Sequence, residues 1–479
     1  MKEERMITEK EAEATRERLT ELRRCFHRHP DVTGHEEPTV EAISRILTKD
    51  GIAHEVVEEG GIIAYIYGKG FEPAPGEEPW KEGYVEDGTP SLLKEGCGTK
   101  DRTLTWKMKT VLLRADIDAL PVRASEENLC TRKVCVSEKE GVSHACGHDS
   151  HIAMILTAAE VLAAHREELN GRVIVIFERG EEGPNNLVFI LRRMLEKNLH
   201  IDTAYAAHTY FGLESGKIAV QAGPVMAGGL FYKVRLTGKG GHGSRPDYAR
   251  NPIDCYTEIN NALSSFRMKM IDPFHTFTAA QTFVHSGDVD NVIPEELTFG
   301  GNARFYDLSD GRKYRDYFYE TLERICPMYG CTYEVIYCMG PKVPLINDAE
   351  CVKTAKKAAE LSFGAENVVE TEPWMACETF CFPLAIWPGV FCLIGDRNPE
   401  KGTGANHHSP IFDVDEDILP AGCAMAVNYA LCFLREEGKP GHGWFDGSGA
   451  EIYEASGYKP EFAALLRYGT PFHVTEGSR

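Results

Sequence analysis

A short segment of this chain combines several side chains that bind metals. Residues 144–151, HACGHDSH, contain three histidines, a cysteine and an aspartate. Cys146 and His148 are two positions apart, and a thiolate and an imidazole at that spacing could reach one ion, as in many zinc sites. Asp149 is placed to accept a hydrogen bond from a metal-bound imidazole. A buried structural thiol, a reactive thiol and a polar turn before an apolar helix are the alternatives.

Other candidate ligands follow apolar segments elsewhere in the chain. Glu181 and Glu182 come shortly after VIVIF at 173–177, so one carboxylate could bind a metal while its neighbour moves a proton. An acidic surface loop would look the same. His208 and His408 would, taken singly, be a core histidine and a loop histidine. Taken together, Cys146, His148, one of the two glutamates, His208 and His408 offer five ligands, enough for two bridged ions that activate water and polarise a carbonyl.

The elements around these residues indicate an α/β fold. VLLRAD from Val111, VIVIF at 173–177 and the segment before His208 are apolar runs typical of buried strands. They alternate with helical patterns, including an amphipathic one at 7–30, over the first 220 residues. Each strand is followed by polar residues, and the carboxyl edge of such a sheet is where sites form.

The sequence pattern changes near Gly223. Strands that alternate apolar and polar residues, with helices predicted from Asn251-Pro252 to about Met270 and from Asp310 to Met328, indicate a small α+β insert. We therefore predict a catalytic domain at 1–225 and 340–435, an insert at 226–339, a surface insertion at 69–109 and a C-terminal extension at 436–479.

The composition of the chain argues against nucleic acid and membrane as partners. The chain has 479 residues and a formal net charge of −21, which would repel a phosphate backbone, so no nucleic acid is expected. The charged N-terminus and the lack of a run of about 20 apolar residues predict no membrane segment. The 15 cysteines are scattered, and we expect them to be reduced in a cytoplasmic protein.

Seven motifs occur in an order that resembles a known family. They are RADIDALP (114–121), HACGHDSH (144–151), EEG (181–183), AAHT (206–209), GKGGHGSRP (238–246), NVIPE (291–295) and HHSP (407–410). The chain resembles the aminoacylase/carboxypeptidase family of two-metal peptidases. It is most similar to the amidohydrolase branch acting on N-acyl amino acids, hippurate and auxin–amino acid conjugates. FHRHPDVTGHEE near the N-terminus also matches, and the resemblance covers about residues 20 to 435.

The resemblance implies a role for each matching residue. The metal ligands would be the bridging Cys146 together with His148, Glu182, His208 and His408. Glu181 would be the general base, and His242 would approach the substrate carbonyl from the insert. Arg304 and Asn291 would contact the substrate carboxylate, and Asp116 and Asp118 would lie behind the metals. Two divalent ions are implied, and mixed S, N and O ligands leave Zn, Mn, Co and Ni open.

The implied enzyme is a metal-dependent amidohydrolase that cleaves N-acyl amino acids. Its expected architecture is a catalytic domain with a central mixed sheet and an inserted α+β lid of the dimerisation type. A homodimer follows by resemblance, since His242 often serves the neighbouring subunit. A dipeptidase or carboxypeptidase acting on short peptides at the same site, and an inactive relative that only binds, are the alternative functions.

Two segments depart from the family pattern. Glu178-Arg179-Gly180 stands where the family usually has Gln-Pro-Ala, and Arg179 brings a charge close to the base. Cys377-Glu378-Thr379-Phe380 stands where Ser-Glu-Asp-Phe is usual. We expect these changes to affect the substrate more than the reaction.

Overall fold

The structure is a computed structural model that describes residues 15–72, 108–183, 186–197, 199–436 and 443. The described residues form two compact units. The first takes those within Met1–Gln221, Ala349–Glu370 and Trp387–Gly441, and the second takes those within Ala222–Asp348, Thr371–Ile386 and His442–Arg479.

The described residues contain sixteen strands and nine α-helices. The strands are β1 Ala53–Val57, β2 Gly61–Tyr67, β3 Lys109–Asp116, β4 Gly171–Glu178, β5 Thr203–Glu214, β6 Ile218–Ala219, β7 Gly223–Met226, β8 Gly228–Thr237, β9 Gly241–His242, β10 Phe277–His285, β11 Val292–Ile293, β12 Glu296–Phe305, β13 Thr332–Met339, β14 Leu345–Asn347, β15 Val368–Val369 and β16 Gly389–Arg397. The helices are α1 Arg16–Arg28, α2 Glu37–Lys49, α3 His148–Ala164, α4 Leu187–Glu196, α5 Pro252–Met270, α6 Leu308–Met328, α7 Ala349–Phe363, α8 Cys381–Ile386 and α9 Leu419–Arg435.

The first unit is built on an eight-stranded mixed sheet in the order β1-β2-β4-β3-β5-β16-β6-β15. Its centre, β4-β3-β5-β16, is parallel, while β1, β2 and the pairing of β16 with β6 are antiparallel. Every residue of β3 and β4 is buried. This explains their continuous apolar sequences, since central parallel strands have no wet face.

The parallel register places the ends of β3 and β4 side by side. Asp116, the last residue of β3, pairs with Glu178, the last residue of β4. The chain leaving β3 and the chain leaving β4 therefore start from the same edge of the sheet. Asp118 and the Glu181-Glu182 pair belong to these two exits, so residues far apart in sequence begin close together in space.

The second unit has a four-stranded antiparallel sheet in the order β10-β12-β8-β13. Strand β8 alternates buried and half-buried residues, as a sheet covered on one face requires. Helices α5 and α6 pack with the buried face of this sheet in one apolar core. Two short ladders, β9 with β11 and β7 with β14, complete this unit.

The predicted α/β class with a central mixed sheet is confirmed. The helix expected at 7–30 is present as α1, although its start is Arg16 and residues 1–14 lie outside the described chain. The helix expected from Pro252 is α5, and the side chain of Asn251 accepts from the backbone N–H of Ile253 as its cap.

The predicted domain boundaries stay a prediction, and the compact units differ from them in one respect. Residues 371–386 belong to the second unit, although the sequence analysis placed them in the catalytic domain. Of the expected insertion at 69–109, residues 73–107 lie outside the described chain. Lys109 is instead the buried first residue of β3. Of the expected extension at 436–479, only Glu436 and Gly443 are described.

One described helical segment, Glu416–Arg435, is long and apolar enough by length and composition to cross a membrane. The sequence pattern predicts no such segment, so this finding differs from the expectation. The most apolar part of this segment is 89% buried within the structure. Helix α9, which forms most of this segment, packs against α3 and α7 as a core helix does.

Candidate metal centre

The predicted ligand segment forms the start of a buried helix. Cys146 precedes α3, and His148 is the first residue of that helix. Gly147 between them has φ +87°, and a Cβ at this position would lie 2.4 Å from Oγ1 of Thr209. Glycine is therefore required here for both backbone conformation and space. It allows a sharp turn that leaves the Cys146 and His148 side chains buried.

The predicted ligands of the first unit lie close together. The ligand atoms of Cys146, Glu182 and His408 are all within 4.8 Å of one another, and so are those of His148, Glu181 and Glu182. The Cys146 Sγ also lies 3.6 Å from Nε2 of His208. The two sets share Glu182. The structure thus brings together six residues from four separate stretches of sequence.

The His148 ring is oriented so that one nitrogen remains for a metal. Its Nδ1 lies 2.9 Å from the backbone oxygen of Asp118 and 3.1 Å from the Asp118 carboxylate, so this nitrogen donates a proton. Its Nε2 is buried and makes no hydrogen bond with any described residue. A metal ligand needs one nitrogen held by an acceptor and the other left with its lone pair. Asp118 is thus the residue that holds the His148 ring in this orientation.

His208 has a similar arrangement. Its Nδ1 donates to the backbone oxygen of Thr209 at 2.6 Å, which directs Nε2 towards the Cys146 Sγ. Burial, with the neighbouring rings of His151 and His407, holds the pKa of His208 well below its usual value. A neutral imidazole is the form that binds a metal. The tautomer set by Thr209 leaves the correct nitrogen available.

His408 is positioned by an unusual backbone conformation. Its φ is +64°, in the left-handed region that non-glycine residues seldom adopt. Its backbone N–H donates to the oxygen of Ala145 at 2.8 Å, which ties this loop to the residue before Cys146. The His408 Nε2 lies 2.8 Å from Oε1 of Glu182. The strained conformation thus occurs where the ring meets another candidate ligand.

The loop that carries Glu181 and Glu182 is held at both ends. The backbone N–H of Glu182 donates to Oδ2 of Asp118 at 2.9 Å. At the other end, Gly180 has φ +71° and its N–H donates to Oε1 of Glu36 at 3.0 Å. Arg179 pairs with Glu36 at 2.8 Å and with Glu37 at 2.6 Å. The charge expected close to the base is therefore paired with two carboxylates.

Asp116 supports the site through a residue that the sequence analysis left without a role. His151 Nδ1 lies 2.6 Å from Oδ1 of Asp116, and its Nε2 accepts from the backbone N–H of Thr209 at 3.0 Å. Arg114 donates to Oδ2 of the same aspartate at 2.7 Å. The i, i+3 spacing of His148 and His151 on one helix was the signal that could have identified this residue.

Asp149 does not make the predicted contact with the imidazole of a candidate metal ligand. Its carboxylate accepts from Nε of Arg23 at 2.8 Å and from Nδ1 of His27 at 2.8 Å, and all three side chains are buried. Asp118 takes the position of imidazole acceptor instead. The cause is geometric, because consecutive residues at a helix start point about 100° apart, and Asp149 faces α1.

The electrostatics of the centre favour a cation. Burial and the nearby Glu182 carboxylate raise the pKa of the Cys146 thiol well above its usual value. Burial would lower the pKa of His148, but the Asp116 and Asp118 carboxylates raise it well above its usual value. Surroundings that hold a proton on Nε2 also favour a divalent ion at the same position. The thiol, imidazole and carboxylate donors fit Zn²⁺ and its neighbours in the first transition row.

The other predicted residues belong to the second unit. His242 lies in β9 and pairs with Val292 of β11. Asn291, immediately before β11, accepts from the backbone N–H of Gly243 at 2.8 Å. Arg304, on β12, stacks its guanidinium 4.6 Å from the ring centre of Phe231. Among the described residues it has no carboxylate partner.

Cys377, one of the departures from the family pattern, contacts Arg304. The arginine Nη1 donates to the Cys377 Sγ at 2.6 Å. A Cβ on Gly229 would come within 2.7 Å of both Arg304 Nη1 and the sulfur, so the absence of a side chain there leaves room for the pair. The cysteine, which stands where the family usually has serine, thus contacts this guanidinium.

The chain is similar in sequence to several known hydrolases. The chain is 32% identical over 417 residues to "Thermostable carboxypeptidase 1" of Saccharolobus solfataricus, covering 87% of this chain and 95% of that protein. It is 28% identical to "IAA-amino acid hydrolase ILR1-like 4" of Arabidopsis thaliana, covering 87% of this chain and 85% of that one. It is 27% identical to "N-acetyl-L-cysteine deacetylase" of Bacillus subtilis, covering 88% and 87%.

Solved structures share the fold. A putative aminohydrolase from methicillin-resistant Staphylococcus aureus superposes with a TM-score of 0.72 at 25% identity, covering 89% of this chain and 99% of that one. A Bacillus subtilis protein described as a dinuclear metal binding peptidase of the M20 family superposes with a TM-score of 0.64 at 25% identity, covering 88% and 98%. The pattern of Peptidase family M20/M25/M40 matches residues 112–431. This chain therefore belongs to peptidase family M20/M25/M40 and is a hydrolase with a centre able to bind metal ions.

Proposed function

We propose that this protein is an amidohydrolase that releases an amino acid from an N-acyl amino acid at a two-metal centre. The observation that carries the proposal is the position of Glu181. Its carboxylate lies within 4.8 Å of ligand atoms of both His148 and Glu182. A carboxylate beside two candidate metal ligands, on a loop fixed at both ends, is the arrangement that base-assisted hydrolysis needs.

The metals and the protein have separate tasks in this reaction. Two ions, when bound, supply charge that polarises an amide carbonyl and makes water easier to deprotonate at neutral pH. Cys146, His148, Glu182, His208 and His408 are the residues proposed to hold them. The hydrogen bonds from His148 to Asp118 and from His208 to Thr209 fix the rings, so that little reorganisation is needed during reaction.

Glu181 is proposed to move the proton. It takes a proton from the attacking water and passes it to the departing nitrogen, which leaves as an amine rather than an unstable anion. Glu182, its neighbour, is proposed to bind metal, which leaves the proton transfer to Glu181. The two carboxylates are adjacent in sequence and both lie within 4.8 Å of a His148 ligand atom, but Glu182 also lies that close to ligand atoms of Cys146 and His408.

His242 is proposed to donate a hydrogen bond to the developing oxyanion. The backbone N–H of Ser244 donates to its Nδ1 at 3.1 Å, and the Ser244 hydroxyl lies 2.8 Å from the same atom. In the neutral ring this leaves the proton on Nε2. His242 is exposed, so Nε2 is a ready donor. Donors aimed at an oxyanion contribute about 3–4 kcal/mol to such reactions.

Arg304, with Asn291, is proposed to bind the carboxylate of the amino acid product. A guanidinium held by a ring face and a sulfur, with no carboxylate partner among the described residues, is suited to two-pronged recognition of a substrate carboxylate. N-acyl amino acids and dipeptides both end in an amino acid with a free carboxylate. Arg304 would therefore serve either class of substrate.

A carboxypeptidase or dipeptidase is the second candidate. It is favoured by the 32% identity to a protein named thermostable carboxypeptidase. The deacetylase and amino acid hydrolase relatives favour the acyl substrate. A homodimer, a cytoplasmic location and Zn, Mn, Co or Ni as the metal complete the proposal. An inactive protein that only binds ligands is disfavoured by the presence of Glu181 with all five candidate ligands.

The test is release of free amino acid, measured by mass spectrometry, from a panel of N-acyl amino acids and dipeptides. The protein is loaded with Zn²⁺ or Mn²⁺, and Glu181→Gln is assayed in parallel. We expect wild type, but not Glu181→Gln, to hydrolyse the acyl substrates. Release from dipeptides alone would establish the second candidate. No release from any member of the panel, with metal confirmed bound, would refute both.

A further inference from the structure

The loop that carries Glu181 and Glu182 rests on a segment from near the N-terminus. This segment, residues 31–37, pairs with the chain leaving β3. The Thr33 N–H donates to the oxygen of Ala119 at 3.0 Å, and the Ala119 N–H donates to the oxygen of Asp31 at 2.8 Å. The segment is thus anchored beside Asp118, the residue that supports His148.

Glu36 connects the segment to the loop. Its side chain is fully buried. Oε1 accepts from the N–H of Gly180 at 3.0 Å and from the N–H of Gly34 at 2.9 Å. Oε2 accepts from Nε of Arg179 at 2.8 Å. Both oxygens of this carboxylate are therefore used to hold the residues immediately before Glu181.

Arg179 completes the connection from the other side. Its guanidinium is also buried and donates Nη2 to Glu37 at 2.6 Å, while its backbone N–H donates to the oxygen of Gly60 at 3.1 Å. A buried charge is tolerated only when it is paired and hydrogen-bonded. Arg179 and Glu36 satisfy that condition for each other, so each fixes the position of the other.

Thr33 holds the far end of the same loop. Its hydroxyl donates to Oδ2 of Asp118 at 2.6 Å, and this oxygen also accepts from the N–H of Glu182 at 2.9 Å. The other Asp118 oxygen lies 3.1 Å from His148 Nδ1. The segment therefore contacts the loop before Glu181 through Glu36, and reaches Glu182 through Asp118.

We propose that the buried Glu36–Arg179 ion pair is a positioning device that sets the Glu181-Glu182 loop against the metal ligands. The inference rests on the proposed roles of Glu181 as base and Glu182 as ligand. Glu36 and Arg179 are both buried and contact the loop and the 31–37 segment, so the role proposed for them is indirect. The pair acts by fixing Gly180, whose φ of +71° directs the chain into Glu181. It also gives a role to Arg179, which stands where the family usually has proline.

The test measures catalysis and metal binding separately in Arg179→Met and Glu36→Gln. Arg179→Met keeps the aliphatic stem and removes the charge, whereas Glu36→Gln keeps the size and an acceptor for Gly180. We expect kcat to fall about 10–100-fold with little change in KM, because positioning acts on the reacting groups. Mn²⁺ affinity, measured by competition with a chelating dye, is expected to fall about tenfold or more.

Three controls separate positioning from stability. Arg18→Ala removes a less buried ion pair of the same unit, with Glu160 at 2.6 Å, and should leave kcat and Mn²⁺ affinity unchanged. Arg179→Lys should retain more of the kcat and of the Mn²⁺ affinity than Arg179→Met does, since it keeps one charged donor. In the double variant Glu36→Gln/Arg179→Met, the fall in kcat and in Mn²⁺ affinity should be smaller than the two single variants combined would give. The reason is that the two residues act as one unit.

The proposal fails if folded Arg179→Met and Glu36→Gln lower only the melting temperature, while kcat and Mn²⁺ affinity stay within about twofold of wild type. The metal measurement needs no substrate. If wild type released no amino acid from any substrate, the proposed function would fail, but a loss of Mn²⁺ affinity in these variants would still support the positioning of Glu182.

Discussion

His151 Nδ1 lies 2.6 Å from Oδ1 of Asp116, beside the candidate metal ligands His148 and His208. The Nε2 of the same ring accepts from the backbone of Thr209 at 3.0 Å, so the ring links β3, α3 and β5. Asp116, His148, His151 and His208 have ligand atoms within 4.8 Å of one another. His151 therefore connects the elements that carry the proposed ligands His148 and His208.

Replacing His151 by leucine should weaken metal binding. The change leaves Asp116 with one fewer donor and the Thr209 N–H without an acceptor, so His148 and His208 lose their fixed spacing. Residues that support metal ligands typically contribute about 10–100-fold to metal affinity. Competition with a chelating dye measures this. His165→Ala, at the exposed end of the same helix, is the matched control, and equal affinities in the two variants would contradict the prediction.

Glu181 and Glu182 should respond differently to the same substitution. Glu181→Gln should lower kcat by about 10²–10⁴-fold with both metals retained, because it removes only the proton carrier. Glu182→Gln should lower metal content, since an amide is a much poorer ligand than a carboxylate. Elemental analysis after dialysis, combined with kinetics, distinguishes the two. Loss of metal in Glu181→Gln would reverse the assigned roles.

Metal should stabilise the folded chain. Several ligands come from distant parts of the sequence, so an unfolded chain cannot offer the same site, and binding to the folded form alone adds about 3 kcal/mol at a metal concentration near 100 times Kd. Thermal unfolding with Zn²⁺ and after chelation should therefore differ. Cys146→Ala/His408→Ala should show a much smaller difference. An equal shift in this variant would place the bound metal elsewhere.

Asp396 should make the stability of the folded chain depend on pH. Both of its carboxylate oxygens are buried without a hydrogen-bond partner among the described residues. Burial, with the nearby Asp413 and Asp415, raises its pKa to about 8. The unfolded chain releases this proton near pH 4, whereas the folded chain keeps it until about pH 8, so this group lowers stability as pH rises between those values.

Asp396→Asn should remove that penalty. We expect its free energy of unfolding to exceed that of wild type by a few kcal/mol at pH 8, since each pKa unit corresponds to about 1.4 kcal/mol. The difference should shrink towards pH 4. Urea unfolding at pH 5, 6.5 and 8 measures the trend. A difference that is constant with pH would show that Asp396 is not protonated in the folded chain.

Arg304 should determine substrate affinity. Arg304→Lys keeps the charge but loses the two-pronged geometry and the stacking on Phe231, so KM should rise about tenfold or more while kcat changes less. Cys377→Ser restores the family residue and keeps a partner for Arg304, so its KM should stay within about threefold of wild type. Steady-state kinetics on the best acyl substrate checks both. An unchanged KM in Arg304→Lys would exclude it from carboxylate binding.

Much of the fold could be predicted because its signals are local. The apolar runs that became β3 and β4 are buried along their whole length, and the alternating pattern of β8 matches a sheet covered on one face. The helix from Pro252 to Met270 begins with a side-chain cap, Asn251, and the Asn-Pro sequence is typical of a helix start. Each of these depends on neighbours within one element, so periodicity and capping are sufficient.

The sequence by itself determined which kinds of atom could form the site, because the donors lie in short ordered motifs around residues such as Cys146, His148 and Glu182. The tertiary structure decided which partner each side chain takes. Asp149 faces Arg23 rather than an imidazole, and Arg179 pairs with Glu36, 143 positions away. Such contacts depend on strand register and helix rotation, which bring distant residues together and leave no periodic pattern in the sequence.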